Sequence, residues 1–172
     1  FIAVRAYRWS HSGDFVPGYE QGQEINEGTA RYVEMKTVER FTSSEKDNIQ
    51  DTTVRELRTD FDSVTFPDYL IADIDERLNG ISVTPENMPR NRIYPVGATL
   101  GFLMDNLGIQ WKKKFQDAGD SVSFLQILQS HFRLTSTDQE KYFRMAKQAY
   151  SYPEILNQSQ LYIEQYISTF DS

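Results

Sequence analysis

Cysteine is absent from this sequence and histidine nearly so: the 172 residues hold no Cys and 2 His, His11 and His131. The first absence excludes disulfides, thiolate nucleophiles and Cys-ligated zinc, without fixing a compartment. Clustered positive charge is also lacking. Lys and Arg number 18 against 25 Asp and Glu, a net charge of −7. The densest basic run, the three lysines at 112–114, is too short to track a phosphate backbone, which argues against a nucleic-acid partner. No apolar run approaches the ~20 residues that a membrane span needs. Alternating apolar and polar positions, low-complexity tracts and fixed-period repeats are missing too, so a sheet protein or a repeat array is not expected.

Aromatic residues are plentiful. The 11 Phe and 10 Tyr are spread along the whole chain, and that spread favours a folded core over disorder. Helical spacing is frequent. "FIAVRAYRW" sets Ile2, Ala3, Ala6 and Tyr7 on one face, and "SHSGDFVPG" interrupts it. Residues 20–41 read as an acidic helix. Ser43 then caps a charged helix through "DNIQDTTVRELRTDF", which turns Ile49, Val54, Leu57 and Phe61 inward. "TFPDYLIADIDERLNG" carries Pro67 at its start and Gly80 past its end, the usual asymmetry of helix termini. Residues 80–93, with Pro85 and Pro89, are expected to form an irregular excursion. The most apolar helix, "YPVGATLGFLMDNLG", ends at Gly108. Trp111 in "IQWKKKF" reads as a core anchor beside a solvated lysine face. Three more helices follow, the first capped by Ser121 and the second by Ser136 or Thr137.

The expectation is an all-α fold, one domain over 1–172 of about seven or eight packed helices with one long irregular loop. Because "FIAVRAYRW" reads as a helix entered partway, the chain is expected to be the C-terminal portion of a longer protein. The lack of cysteine together with many Asn, Gln and Tyr suits a bacterial exported (periplasmic or extracellular) protein.

The stretch "QEINEGTARYVEMKTVER", residues 23–40, concentrates the possible chemistry. At ~100° per residue, Glu20, Glu24, Glu27, Arg31 and Glu34 share one sector. Ile25, Gly28, Thr29 and Tyr32 fall on the other side. Glu27 and Arg31 are four apart with the acid first, the favourable order for a helical ion pair worth a few tenths of a kcal/mol. Periodicity alone therefore describes a solvated, salt-bridged face.

The words "NEGTARYVE" allow a second reading. Glu27-Gly28-x-Ala30-x-Tyr32 resembles the second zinc-binding helix of gluzincin-type metallopeptidases, and the later "YPVGATLGFLMD" is similar to a Tyr-x-x-Gly helix that packs beneath the metal site there. In that family a His-Glu-x-x-His helix supplies two imidazoles and the general base, a glutamate on a later helix completes the protein ligands, and water takes the remaining position. The resemblance implies that Glu27 is the metal ligand, that Arg31 and Glu34 orient it or face the substrate, and that Gly28 and Ala30 permit close helix packing. It also implies a peptide or protein substrate and Zn2+ in the complete protein. Neither His11 nor His131 lies in a His-Glu-x-x-His context. One glutamate cannot hold zinc, so none is expected in this chain alone.

Other candidates are simpler. Tyr94, at the mouth of the apolar helix, is either an oxyanion hydrogen-bond donor or a half-buried core tyrosine with a wet hydroxyl. His11 in "WSHSGD" is a cap, a solvated residue or a metal ligand. His131 is expected at a helix C-terminus, favourable to the dipole. Ser10, His11, Ser12 and Asp14 have the composition of a hydrolase triad, but triad members converge from separated elements. The rival to the peptidase reading is a non-catalytic helical protein-interaction domain whose acidic face meets a basic partner.

Overall fold

In a computed structural model, the residues described are 1–42, 66–79, 84 and 87–168. Every regular element among them is a helix, as expected. Helix α1 spans Ile2–Ser10. Helix α2, Phe15–Gln23, runs through a π-helical turn, Glu24–Gly28, into α3, Thr29–Thr42. Helix α4 is Phe66–Asn79, and a single turn, α5 (Met88–Asn91), precedes α6 (Ile93–Asn106). Then come α7 (Trp111–Ala118), α8 (Phe124–Phe132), α9 (Ser136–Ala149) and α10 (Tyr152–Ser168). With Phe15–Thr42 taken as one rod and the short α5 set aside, the described residues form 8 helices, within the expected range. None is long and apolar enough to cross a membrane.

Ser43, the helix expected over 47–61, Gly80 and Pro85 lie outside the described residues. The end of the expected 80–93 excursion is partly regular, since Pro89 sits in the helical turn α5. A first helical turn tolerates proline because its N–H groups have no intrahelical partner.

Helix ends obey local chemistry. Past α6, Gly108 takes φ +67°. Its N–H donates to Asp105 O at 3.0 Å, and the Ile109 N–H donates to Met104 O at 2.9 Å. This is the Schellman closure, and the two residues whose apolar contact usually accompanies it, Ile109 and Met104, are both buried. Two caps fall away from their expected positions. Helix α8 is capped by Ser123, not Ser121: Ser123 Oγ accepts the Gln126 N–H at 3.2 Å, and the Gln126 side chain accepts the Ser123 N–H at 2.7 Å. Helix α9 is capped by Thr135 with Asp138 in the same reciprocal manner. A carboxylate or amide three residues after the cap made the difference in both cases.

The chain divides into two compact units, Phe1–Asp14 with Leu128–Ser172, and Phe15–Ile127. In the first, α1 lies on α9, with Tyr7 stacked on Phe143 at 4.1 Å between ring centres. The Lys147 ammonium covers the Phe143 and Tyr152 rings at 4.5 and 4.7 Å. His11 stacks on Tyr7, and its Nδ1 lies 2.8 Å from the Tyr7 carbonyl, so it is a cap of α1.

The second unit is organised by a seam of small residues. A methyl group built on Gly28 would stand 2.7 Å from the Gly97 Cα, and one on Gly97 would stand 2.5 Å from the Gly28 Cα. One turn along each helix, the Tyr32 ring lies on Gly101. Two pairs spaced i, i+4 thus meet, Gly28 of the π-turn and Tyr32 of α3 against Gly97 and Gly101 of α6, and the backbones approach more closely than any side chain would allow. Met35, Ile93, Ala98, Leu100, Met104, Trp111, Phe124 and Ile127 fill the surrounding core. Trp111 is the anchor expected from the sequence, edge-on to Tyr32 at 5.1 Å.

Asp105 closes the seam. Its carboxylate accepts from the Tyr32 hydroxyl, from Trp111 Nε1 at 2.9 Å and from Lys112 Nζ at 3.0 Å. Burial alone would raise its pKa, but the hydrogen bonds from Tyr32, Trp111 and Lys112 outweigh burial and hold it below the ordinary aspartate value.

Two predictions follow from the seam. Gly97→Ala should destabilise the protein by about 1–3 kcal/mol, the range for overpacking against a backbone. Gly22→Ala, where nothing lies within 4 Å of the added carbon, should instead stabilise it by about 0.5–1 kcal/mol. Urea midpoints of the two variants test this pair. Asp105→Asn should lower stability at neutral pH by about 1–3 kcal/mol. A depressed carboxylate pKa stabilises the fold above its unfolded value. The gap between wild type and variant should therefore narrow as pH drops below 3.8 and through the depressed value. A gap independent of pH would contradict this role.

Candidate functional site

The candidate site is built on the π-turn. A π-turn inserts a residue into the helical repeat, and such turns are frequent at functional sites. Here it resets the register. Gly28 and Tyr32, assigned from the sequence to the side away from the acidic residues, share one buried stripe with Glu20 and Glu24, and Met35 continues it. Glu20 and Glu24 are each only 2% exposed. The acidic sector is therefore not a uniform solvated face: its first two carboxylates point inward, while Glu27 stands at the edge with its side chain 35% exposed.

Buried charge requires partners. Glu20 takes the Arg92 guanidinium. Arg31, 7% exposed, grips Asp73 of α4 through Nε at 3.2 Å and through a second nitrogen, and reaches Glu34 with Nη1 at 2.6 Å. Burial opposes the charge on Arg31, but hydrogen bonds to Glu34 and Asp73 outweigh it and raise its pKa above the ordinary arginine value. The ion pair expected between Glu27 and Arg31 is replaced by this one: Arg31 turns to Asp73 and Glu34, and the nearest cation to Glu27 is Arg90. Arg31 and Glu34 pair with each other, but neither is among the contacts of Glu27.

Asp73 has a second arginine. Arg77 Nε donates to its Oδ1 at 3.0 Å, and the same guanidinium covers the Tyr94 ring at 4.8 Å. Tyr94, near the start of α6, accepts a hydrogen bond on its hydroxyl from Arg90 Nη2 at 3.4 Å. That nitrogen also lies 3.9 Å from the Glu27 carboxylate. Glu27 and Tyr94, singled out separately in the sequence, are thus joined through Arg90. The bond to Tyr94 and the charge of Glu27 raise the Arg90 pKa. Beside the cluster is a cavity of about 250 Å3 lined by Asp73, Glu76, Arg77 and Asn91.

Asp73, Arg77, Arg90 and Arg92 escaped the sequence reading. Arg90 and Arg92 could have been found from "RNRIY", two cations immediately ahead of the apolar helix. Asp73 and Arg77 carry no such signal, being an ordinary i, i+4 pair on α4.

The remaining candidates belong to the other compact unit. Ser10 Oγ lies 2.9 Å from His11 Nδ1 but donates its proton to the Tyr7 carbonyl at 2.8 Å. It is a capping group, and no contact with Asp14 completes a triad. His131 is exposed in the last turn of α8, edge-on to Phe132.

Among the described residues, no three His, Asp or Glu side chains converge so as to hold a metal ion. Glu27 itself fits the part of a single ligand, an accessible carboxylate with one loose partner. Compared with protein-family profiles, curated proteins and solved structures, the chain gives no match.

Proposed function

We propose that this chain is the helical part of a gluzincin-like zinc peptidase that contributes the third metal ligand, Glu27, to a site whose two imidazoles and general base come from a His-Glu-x-x-His helix that the sequence does not contain. The observation that carries the reading is the contact of Gly28 with Gly97. It explains the Glu-Gly and Tyr-x-x-Gly words together. The glycine after Glu27 and the glycine three residues after Tyr94 are the two that touch, and Arg90 spans Glu27 and Tyr94 beside that contact.

Zinc, when bound, supplies an activated water for peptide hydrolysis and charge stabilisation at the scissile carbonyl. The rest falls to this chain. Glu27 is accessible enough to ligate, and Arg31 fixes its helix to α4 through Asp73. Tyr94 is braced by Arg77, and its hydroxyl proton is free to donate to an oxyanion.

The test is zinc content and peptidase rate of the complete protein. Glu27→Gln should lose both while the helical circular dichroism stays intact, since an amide is a poor zinc ligand of similar shape. Glu34→Gln should retain zinc and lose less than the ~10–100-fold typical of groups that hold a ligand directly, because Glu34 pairs with Arg31 and not with Glu27. Full zinc loading and an unchanged rate in Glu27→Gln would end the ligand assignment.

A further inference from the structure

We propose that Arg90, together with the Tyr94 hydroxyl, is a recognition point for a carboxylate carried by a peptide. The peptide nature of the ligand rests on the peptidase reading above; the carboxylate recognition stands on the geometry of the two side chains.

The arginines of this cluster are not equivalent. Arg31 and Arg77 share Asp73, and Arg92 is tied to Glu20. Arg90 alone in the cluster keeps most of its donors unspent among the described residues. Its side chain is 63% exposed, its nearest carboxylate is the loose Glu27 contact at 3.9 Å, and its one hydrogen bond goes to a phenol. That phenol in turn has its own proton unspent, because Tyr94 serves there as the acceptor. Guanidinium N–H and tyrosine O–H groups therefore stand side by side, and a single acceptor can take both. A carboxylate is such an acceptor, and the planar guanidinium fork matches it.

The pair is also braced. The Tyr94 ring is held under the Arg77 guanidinium, which Asp73 holds at 3.0 Å, so part of the ordering cost of binding is already met. With a chain charge of −7, diffuse attraction does not draw anions to this protein. A carboxylate that binds must be held by local donors, and Arg90 leaves the Glu27 contact to hold it.

Arginine side-chain NMR on the 172-residue chain, without metal and without turnover, tests this. The probes are N-acetylalanine, its amide, and N-acetylisoglutamine, whose only carboxylate is the side-chain one. N-acetylalanine or N-acetylisoglutamine should shift the Arg90 Nε–Hε resonance saturably, and the amide should not. The stronger of the two carboxylates identifies a C-terminal or an acidic side-chain group as the source. Followed through the Nε–Hε resonance of Arg77, whose guanidinium covers the Tyr94 ring, Arg90→Gln should weaken binding at least about tenfold, and Tyr94→Phe should weaken it less. Lys113→Gln, on an exposed lysine paired with Asp117, should leave it unchanged. Equal binding of the amide, an equal loss in Lys113→Gln, or no saturable shift would overturn the proposal. Because the assay needs neither zinc nor hydrolysis, its failure is separate from a failure of the Glu27 assignment.

Discussion

The contact between Gly28 and Gly97 governs the second unit. Two helix backbones meet where neither residue has a Cβ, and the Glu24 carbonyl is pressed against the same point, 3.2 Å from where a Gly97 methyl would stand. Such an approach fixes both the separation of α3 from α6 and the rotation of the π-turn about its own axis. Once the rotation is fixed, Tyr32 has only the Gly101 gap to occupy, and its hydroxyl reaches Asp105. In the other direction along the rod, Glu20 and Glu24 are driven inward and Glu27 is left at the rim.

That rotation brings charge into the interior, and charge is costly there. Arg92 answers Glu20, and Asp73 answers Arg31. Ion pairs of this kind add little net stability, since the desolvation of both partners offsets most of their attraction. Their effect here is on geometry. Asp73 holds an arginine from the rod that carries Glu27 and a second arginine that covers Tyr94. One carboxylate therefore sets the rod and the tyrosine relative to each other. Arg90, exposed and loosely held, is what remains free to respond to a ligand.

Much of the fold was legible in the sequence because helical periodicity, end signals and the apolar "YPVGATLGFLMD" segment agree with one another. Trp111 as an anchor and Gly108 as a stop follow from local chemistry and appear where expected. The caps shifted by one or two residues, decided by the partners Gln126 and Asp138. The site was legible only in pieces. Glu27, Gly28 and Tyr94 stand out as words, but the inward turn of Glu20 and Glu24 could not be read, because carboxylates on a helix read as a solvated face and the arginine that pairs with Glu20 lies 72 residues away in sequence. Asp73 could not be found either. Its importance arises from Arg31, 42 residues away in sequence, and no local pattern encodes that pairing.

The glycine contact is open to direct measurement. In a uniformly labelled sample, the Hα protons of Gly28 and Gly97 should give a strong nuclear Overhauser cross-peak, accompanied by peaks from the Tyr32 ring to the Gly101 Hα protons. Absence of the glycine–glycine peak in an otherwise well-dispersed helical spectrum would contradict the seam, and with it the placement of Glu27 beside Arg90 and Tyr94.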